Sequence, residues 1–495
     1  MKTSQITKKQ QIRNAIIYML PLGLSSLLPL ITIPIFTRIL MPEEYGLLAL
    51  AMIYAIFMCG LVNFGMSLAF ERNYFQYKDN SEKLAQLLFT SLVFVSVNFA
   101  ILSVLTYLFR VNISEFLTGS TQHGILIFTA FAAQFFCVTV NNFYLIYFKN
   151  KENAKTYTKY RIMNTIFNFI ISLFLVVYMR VGVIGFVMAQ LATGIILFLL
   201  LLYVFLKELP FSLNKSILLE SLKISYPLTP RIITGVLNTQ FDKYMISIMA
   251  TISGVGVYHI GKNISDLIFT FMTAIENVFN PQIYQRMFGQ HEQSSESIGK
   301  YLTPFLYISI FLALCLALFS KELLTILTPK SYHGAIPIIT ILSMYFGILF
   351  FGKITGTQLI YSKKTHITSL LSFLSLGLNV GLNIPLIMRF GAVGAAWGTM
   401  LAGLISGTIS LFVAQHYYKV YYEWNKIIWI MGTFFIGATF IASINLLGAS
   451  YLLSLSIKMT VMSVFLALGV RYGFISKENF REIKSIFLLR NVATT

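Results

Sequence analysis

Long apolar runs separated by short polar loops recur from Ala15 to Arg471. About 20 apolar residues in helical form cross a hydrocarbon core of about 30 Å. Only a helix or a closed barrel satisfies every backbone amide within lipid. These runs are continuous rather than alternating, so the pattern predicts helices. The chain is expected to be an all-α integral membrane protein of about 14 transmembrane helices. They lie near 15–36, 46–70, 84–109, 123–148, 162–179, 183–206, 224–250, 255–281, 301–320, 336–361, 367–388, 391–415, 427–447 and 454–470.

The pattern also repeats on a larger scale. Arg180-x-Gly182-x-x-Gly185, followed by Gly194, returns as Arg389-x-Gly391-x-x-Gly394, followed by Gly403, at an offset of 209 residues. Pro21 and Pro230 share that offset. Six spans separate the copies, an even number, so the two halves have the same orientation about an axis along the membrane normal. The expected organisation is an N-lobe of helices 1–6 (15–206), a C-lobe of helices 7–12 (224–415), and two extra C-terminal helices (427–470). Tails at 1–14 and 471–495 flank them. Two pseudo-symmetric six-helix lobes with a site between them is a transporter architecture.

Composition agrees with a membrane solvent. The 495 residues are 57% hydrophobic and 11% charged, whereas soluble domains carry about 25% charged residues. The net charge of +19 is a topology signal rather than a nucleic-acid footprint. Of the 37 Lys and Arg, 26 fall on the side of the N-terminus, including Arg72, Lys78 and Lys83 and the five from Lys149 to Arg161. Seven fall on the other side: Arg38, Arg110, Arg180, Lys321, Lys330, Arg389 and Lys458. The positive-inside rule places the first side, with both termini, in the cytoplasm.

Besides Lys458, which is counted with the far side, seven ionisable residues fall inside spans: Arg231, Asp242, Lys243, Lys262, Asp266, Glu276 and Lys353. Charges at bilayer depth are costly and normally face protein or a water-filled cavity. In an antiparallel hairpin turning near Ser253, Arg231 and Glu276 share a depth. Asp242, Lys243, Lys262 and Asp266 form a second cluster. Lys353 has no acid at its depth in the adjacent spans, so it is expected to be an unpaired cation facing a cavity. Structural ion pairing, or snorkelling in the case of Lys353, is the alternative for each.

Catalytic and cofactor chemistry has no signature. Cys59, Cys137 and Cys315 all lie in spans without metal-ligand or disulfide spacing, and the six histidines make no H-E-x-x-H. Gly256-x-x-x-x-Gly261-Lys262-Asn263 approximates a phosphate-binding loop, but Asn stands where Ser or Thr is needed and no strand precedes it. No metal, no cofactor, no nucleic-acid partner and no enzymatic activity are expected.

Several motifs carry a family resemblance. Pro34-Ile-Phe-Thr-Arg38-Ile-Leu-Met-Pro42-Glu-Glu-Tyr45-Gly46 resembles the first external loop of the bacterial polysaccharide transporter family, part of the multidrug/oligosaccharidyl-lipid/polysaccharide exporter superfamily. Phe64-Gly65 with Glu71-Arg72, Phe241-Asp242-Lys243-Tyr244 with Val255-Gly256-Val257-Tyr258, and Gly391-x-x-Gly394-Ala395-Ala396 are similar to later family segments in the same order. The resemblance implies a flippase in the bacterial cytoplasmic membrane. It would turn undecaprenyl-diphosphate-linked oligosaccharide units to the outer leaflet, for O-antigen, capsule or exopolysaccharide assembly. Its partners would be the lipid-linked oligosaccharide, membrane lipids, and the polysaccharide polymerase with its chain-length machinery. On this reading Arg231, Lys262 and Lys353 contact the diphosphate. Asp242, Asp266 and Glu276 couple an ion or balance charge, and Asn141, Asn142 and Tyr144 touch sugars. Cation-coupled multidrug efflux and flipping of a lipid-linked peptidoglycan precursor are the alternatives. Efflux predicts an acid-lined N-lobe, where these spans show no interior acid.

Overall fold

The computed structural model describes residues 21, 23–24, 27–288, 294–446 and 450–474. The tail at 1–14, most of the C-terminal tail and the first part of the first expected span lie outside these residues, as does the side chain of Arg231. The described chain is helical: α1 (Leu27–Phe36), α2 (Pro42–Asn63), α3 (Met66–Tyr77), α4 (Ser81–Leu108), α5 (Arg110–Thr118), α6 (Thr121–Asn150), α7 (Ala154–Tyr178), α8 (Val183–Glu208) and α9 (Lys215–Ser225). Then come α10 (Thr229–Met249), α11 (Ile252–Phe288), α12 (Ser294–Leu318), α13 (Ser320–Leu327), α14 (Ala335–Tyr361), α15 (Thr365–Tyr417), α16 (Trp424–Leu446) and α17 (Tyr451–Arg471).

Local chemistry places the helix ends. Pro42 opens α2, and the Glu44 carboxylate accepts the Met41 N–H at 2.9 Å, one half of a capping box, with the carboxylate favoured by the positive end of the helix dipole. Asn80, Asn153 and Asn214 each cap the next helix by accepting a backbone N–H. The short amphipathic α9 is tied to α3. Asn73 Nδ2 donates to Ser221 Oγ at 3.1 Å, and the Tyr77 hydroxyl donates to Glu220. The Tyr77 hydrogen bond holds the Glu220 carboxyl below its usual range, against the opposing effect of burial.

Ten described helices are long and apolar enough to cross a membrane, by length and composition. The expected 14 differ for three reasons. The first run lies largely outside the described residues. The two helices α10 and α11 carry too many polar side chains to be among the ten. Two expected spans, 367–388 and 391–415, are two helices that meet at Gly391, whose φ 57° and ψ −135° are not helical, and they count once because they abut within α15.

The chain divides into two compact units, Met1–His259 and Ile260–Thr495, the boundary falling within α11. In the first unit α2 and α8 pack on α6 around a buried aromatic core. Phe99 and Phe135 stack there at 3.8 Å, and Tyr144 lies on Phe205 at 5.2 Å. In the second unit α14 packs on α12 and α15, and α16 covers α12.

The sequence repeat has a structural counterpart in each unit. Gly182 and Gly391 both take positive φ, 74° and 57°, at the turn into the glycine-rich segment. Gly194 packs on Phe136, where an added Cβ would lie 2.9 Å from the Phe136 Cβ. Gly403 packs on Tyr345, where it would lie 2.3 Å from the ring. Phe136 and Tyr345 are themselves 209 positions apart. The repeat therefore includes a glycine and the aromatic residue it packs on. Gly403→Ala is expected to cost about 1–3 kcal/mol through overpacking, read as a lower midpoint in thermal unfolding of the detergent-solubilised protein. An unchanged midpoint would show that Tyr345 swings aside freely.

Candidate functional site

In the second unit the polar residues of α11 fall on successive turns. Lys262 and Asp266 are partly exposed and four positions apart, and neither is free of a partner. Further along, Glu276 meets α14. Lys353 Nζ lies 2.8 Å from Glu276 Oε2, with side-chain exposures of 27% and 19%. Asn280 Nδ2 donates to the other Glu276 oxygen at 3.4 Å, and the Thr357 hydroxyl donates to Asn280 Oδ1 at 3.1 Å. The Lys353 ammonium also sits 4.9 Å from the centroid of Phe269, a cation–π contact.

This corrects the expectation that Lys353 is unpaired. Its acid lies on a helix distant in sequence, and a comparison confined to neighbouring spans misses it. A legible signal exists. Glu276 with Asn280, and Lys353 with Thr357, are both i,i+4 polar pairs, so each helix presents one short polar stripe. The four groups form a chain of cation, carboxylate, amide and hydroxyl. Its Lys353 end is partly exposed.

In the first unit Asp242 is 2% exposed and accepts a hydrogen bond from the buried Tyr258 hydroxyl at 3.0 Å. Lys243, also buried, donates to Gln240 at 3.1 Å. Gly256, in the segment resembling a phosphate loop, is helical and packs against α2. An added Cβ would lie 1.8 Å from the Pro42 carbonyl, so close helix crossing accounts for that glycine. An apolar cavity of about 440 Å³ is lined by Tyr54, Met58, Phe116, Phe241 and Tyr244. Its walls are hydrocarbon, so it does not suit a charged headgroup.

The sugar-contact candidates separate. Tyr144 is fully buried, between Phe198 and Phe205, and lines a mostly apolar cavity of about 350 Å³ with Phe89 and Phe211. Asn142 is partly exposed. Asn141 is held at a π turn, Val140–Tyr144, where its Oδ1 accepts from the Arg161 guanidinium. Arg161 is thus not a loop charge, as the basic-loop count takes it to be. It lies seven residues inside α7, a helix apolar enough to span. Reading Asn153 as the helix cap would have placed it there.

Lys458 needs the same correction. It is fully buried in α17, and its ammonium lies 2.6 and 2.7 Å from the two Glu322 carboxylate oxygens of α13. It therefore ties the last described helix to α13 rather than facing solvent.

Residues 12–287, more than half of the chain, match the polysaccharide biosynthesis protein family. The chain belongs to that family. An Escherichia coli K12 protein named as a candidate O-antigen transporter is 24% identical over 83% of this chain and 98% of its own. A Haloferax volcanii protein named as a candidate low-salt glycan biosynthesis flippase, Agl15, is 25% identical over 40% of this chain, the match spanning 42% of that protein. Among solved structures, a lipid II flippase MurJ in an inward closed conformation superposes with a TM-score of 0.71 at 17% identity, covering 92% of this chain and 99% of that one. The shared feature at that identity is the fold. As a polysaccharide biosynthesis protein of transporter fold, this chain holds its polar groups inside helices that are otherwise apolar. The arrangement can bind and release charged or hydroxylated groups in the membrane.

Proposed function

We propose that the protein is a flippase moving polyprenyl-diphosphate-linked oligosaccharide units from the cytoplasmic to the outer leaflet of the bacterial cytoplasmic membrane. The face bearing the basic loops is cytoplasmic on this reading. The observation that carries it is the family match over residues 12–287, a stretch that holds five of the ten described apolar helices long enough to cross a membrane. A diphosphate with several sugars cannot cross hydrocarbon unaided, so polar groups must accompany it. Lys353, Lys262 and Arg231 serve the diphosphate. Glu276 holds Lys353 until phosphate oxygens replace it, and Asp242 and Asp266 balance charge or couple an ion. A polymerase and chain-length machinery would take the product.

The test is deletion of the gene in its host with complementation by the intact chain. Surface polymer should fall to background while lipid-linked repeat units accumulate on the inner leaflet. Unchanged polymer with raised sensitivity to cationic drugs would replace this reading with efflux.

A further inference from the structure

Arg161 serves no role assigned above. The guanidinium sits about 10 Å along α7 from Ala154, seven residues at 1.5 Å each. Asn141 lies nine residues, about 13 Å, from the Asn150 end of α6, so the two are at matching depth below the basic face. Among the described residues the guanidinium pairs with no carboxylate; its side-chain hydrogen bond goes to the neutral Asn141. One of five donors is thereby used. The Asn141 amide is oriented from behind: its Nδ2 donates to the Cys137 carbonyl at 2.8 Å. That leaves Oδ1 for Arg161, at a π turn of the kind that recurs at functional sites.

The polar line continues inward. Gln134, Cys137 and Asn141 share one face of α6. Gln190 Nε2 of α8 donates to Gln134 Oε1 at 3.2 Å, about 10 Å further from the basic face than Asn141. One uncompensated cation and three amides therefore line up in an otherwise apolar bundle. An arginine held there without an acid is costly unless an anion or water meets it.

We infer that Arg161, positioned by Asn141, is a phosphate-binding residue of the first unit, with Gln134 and Gln190 receiving the groups attached to that phosphate. The inference rests on the flippase reading for its physiological ligand, and the ligand chemistry is a diphosphate. That chemistry can come from the polyprenyl lipid, from ordinary anionic phospholipid or from free pyrophosphate, and the experiment separates them.

The full chain, purified into nanodiscs of zwitterionic lipid, is titrated with pyrophosphate, then with undecaprenyl diphosphate without and with an attached oligosaccharide, then with phosphatidylglycerol, and thermal stabilisation is read. Pyrophosphate and the polyprenyl lipid should raise the midpoint and phosphatidylglycerol should not. Arg161→Gln should weaken both responses by about tenfold or more, the scale of one charge-assisted hydrogen bond. Arg161→Lys should recover part of the response, and Gln190→Leu should weaken only the polyprenyl lipid carrying sugars. A wild-type response in Arg161→Gln overturns the inference. If that variant does not fold, undiminished responses in both Arg161→Lys and Asn141→Leu overturn it, because neither preserves the placed guanidinium. A response to phosphatidylglycerol equal to that of the diphosphates also overturns it, since the arginine then acts as an interfacial anchor. If gene deletion leaves surface polymer unchanged while pyrophosphate binding still depends on Arg161, the flippase reading fails and the site stands.

Discussion

Replacing Glu322 by alanine should destabilise the protein by about 3–5 kcal/mol, because it strands the fully buried Lys458 ammonium without its counter-charge. Both carboxylate oxygens lie within 2.7 Å of Nζ, and the Phe319 ring centroid is 5.7 Å away. No water-facing route is open to the ammonium, since Lys458 is 0% exposed. Removing both charges is a different experiment. Lys458→Met with Glu322→Leu deletes the desolvation cost along with the attraction, and the double variant should return to near wild-type stability. The measurement is thermal or denaturant unfolding in detergent, with limited proteolysis reporting release of α17 from α13. A single Glu322→Ala variant with an unshifted midpoint would mean that Lys458 reaches solvent through a small movement of α17.

Transport should fall by about tenfold or more in either Lys353→Met or Glu276→Gln, from loss of a partly buried, hydrogen-bonded charge. The informative variant is the swap, Glu276→Lys with Lys353→Glu. It keeps the 2.8 Å pair but moves the cation from α14 to α11 and presents a carboxylate where the ammonium stood. Stability should recover in the swap, and transport should not, because the phosphate contact assigned to Lys353 depends on the sign of charge at that position. Flipping assayed with a fluorescent lipid-linked oligosaccharide in vesicles supplies the rate, and unfolding supplies the stability. Equal recovery of both quantities would make the pair structural, joining α11 to α14 and nothing more. The coupling between the sites follows from the single and double variants together.

Residue by residue, the limits of sequence reading follow one physical line. Properties set within a few turns of chain are visible in it. Apolar run length predicts membrane helices, and Pro42, Asn80, Asn153 and Asn214 start helices where their own backbone or side-chain chemistry requires. The 209-residue repeat shows at Gly182 and Gly391 because both positions demand a left-handed backbone that glycine adopts without strain. The motifs from Pro34 to Gly46 and at Gly391 carried the family resemblance, and the match over residues 12–287 agrees with it.

Side-chain partnership is the part that the sequence withholds. Glu276 and Lys353 lie on α11 and α14, with two helices between them in the chain, and only packing brings them together. Tyr144 reads as an amphipathic side chain in a span, yet rings from α8 close over it and make it core. Arg161 reads as a loop residue because hydropathy averages over a window, so charges near a helix end move the apparent boundary inward past them. Lys458 falls inside the span 454–470, yet nothing in its own helix names Glu322 as its partner. Hydrogen bonding and burial along one helix are local and follow its own residues. Which charge neutralises which depends on how separate helices settle against one another, and that is decided by tertiary packing.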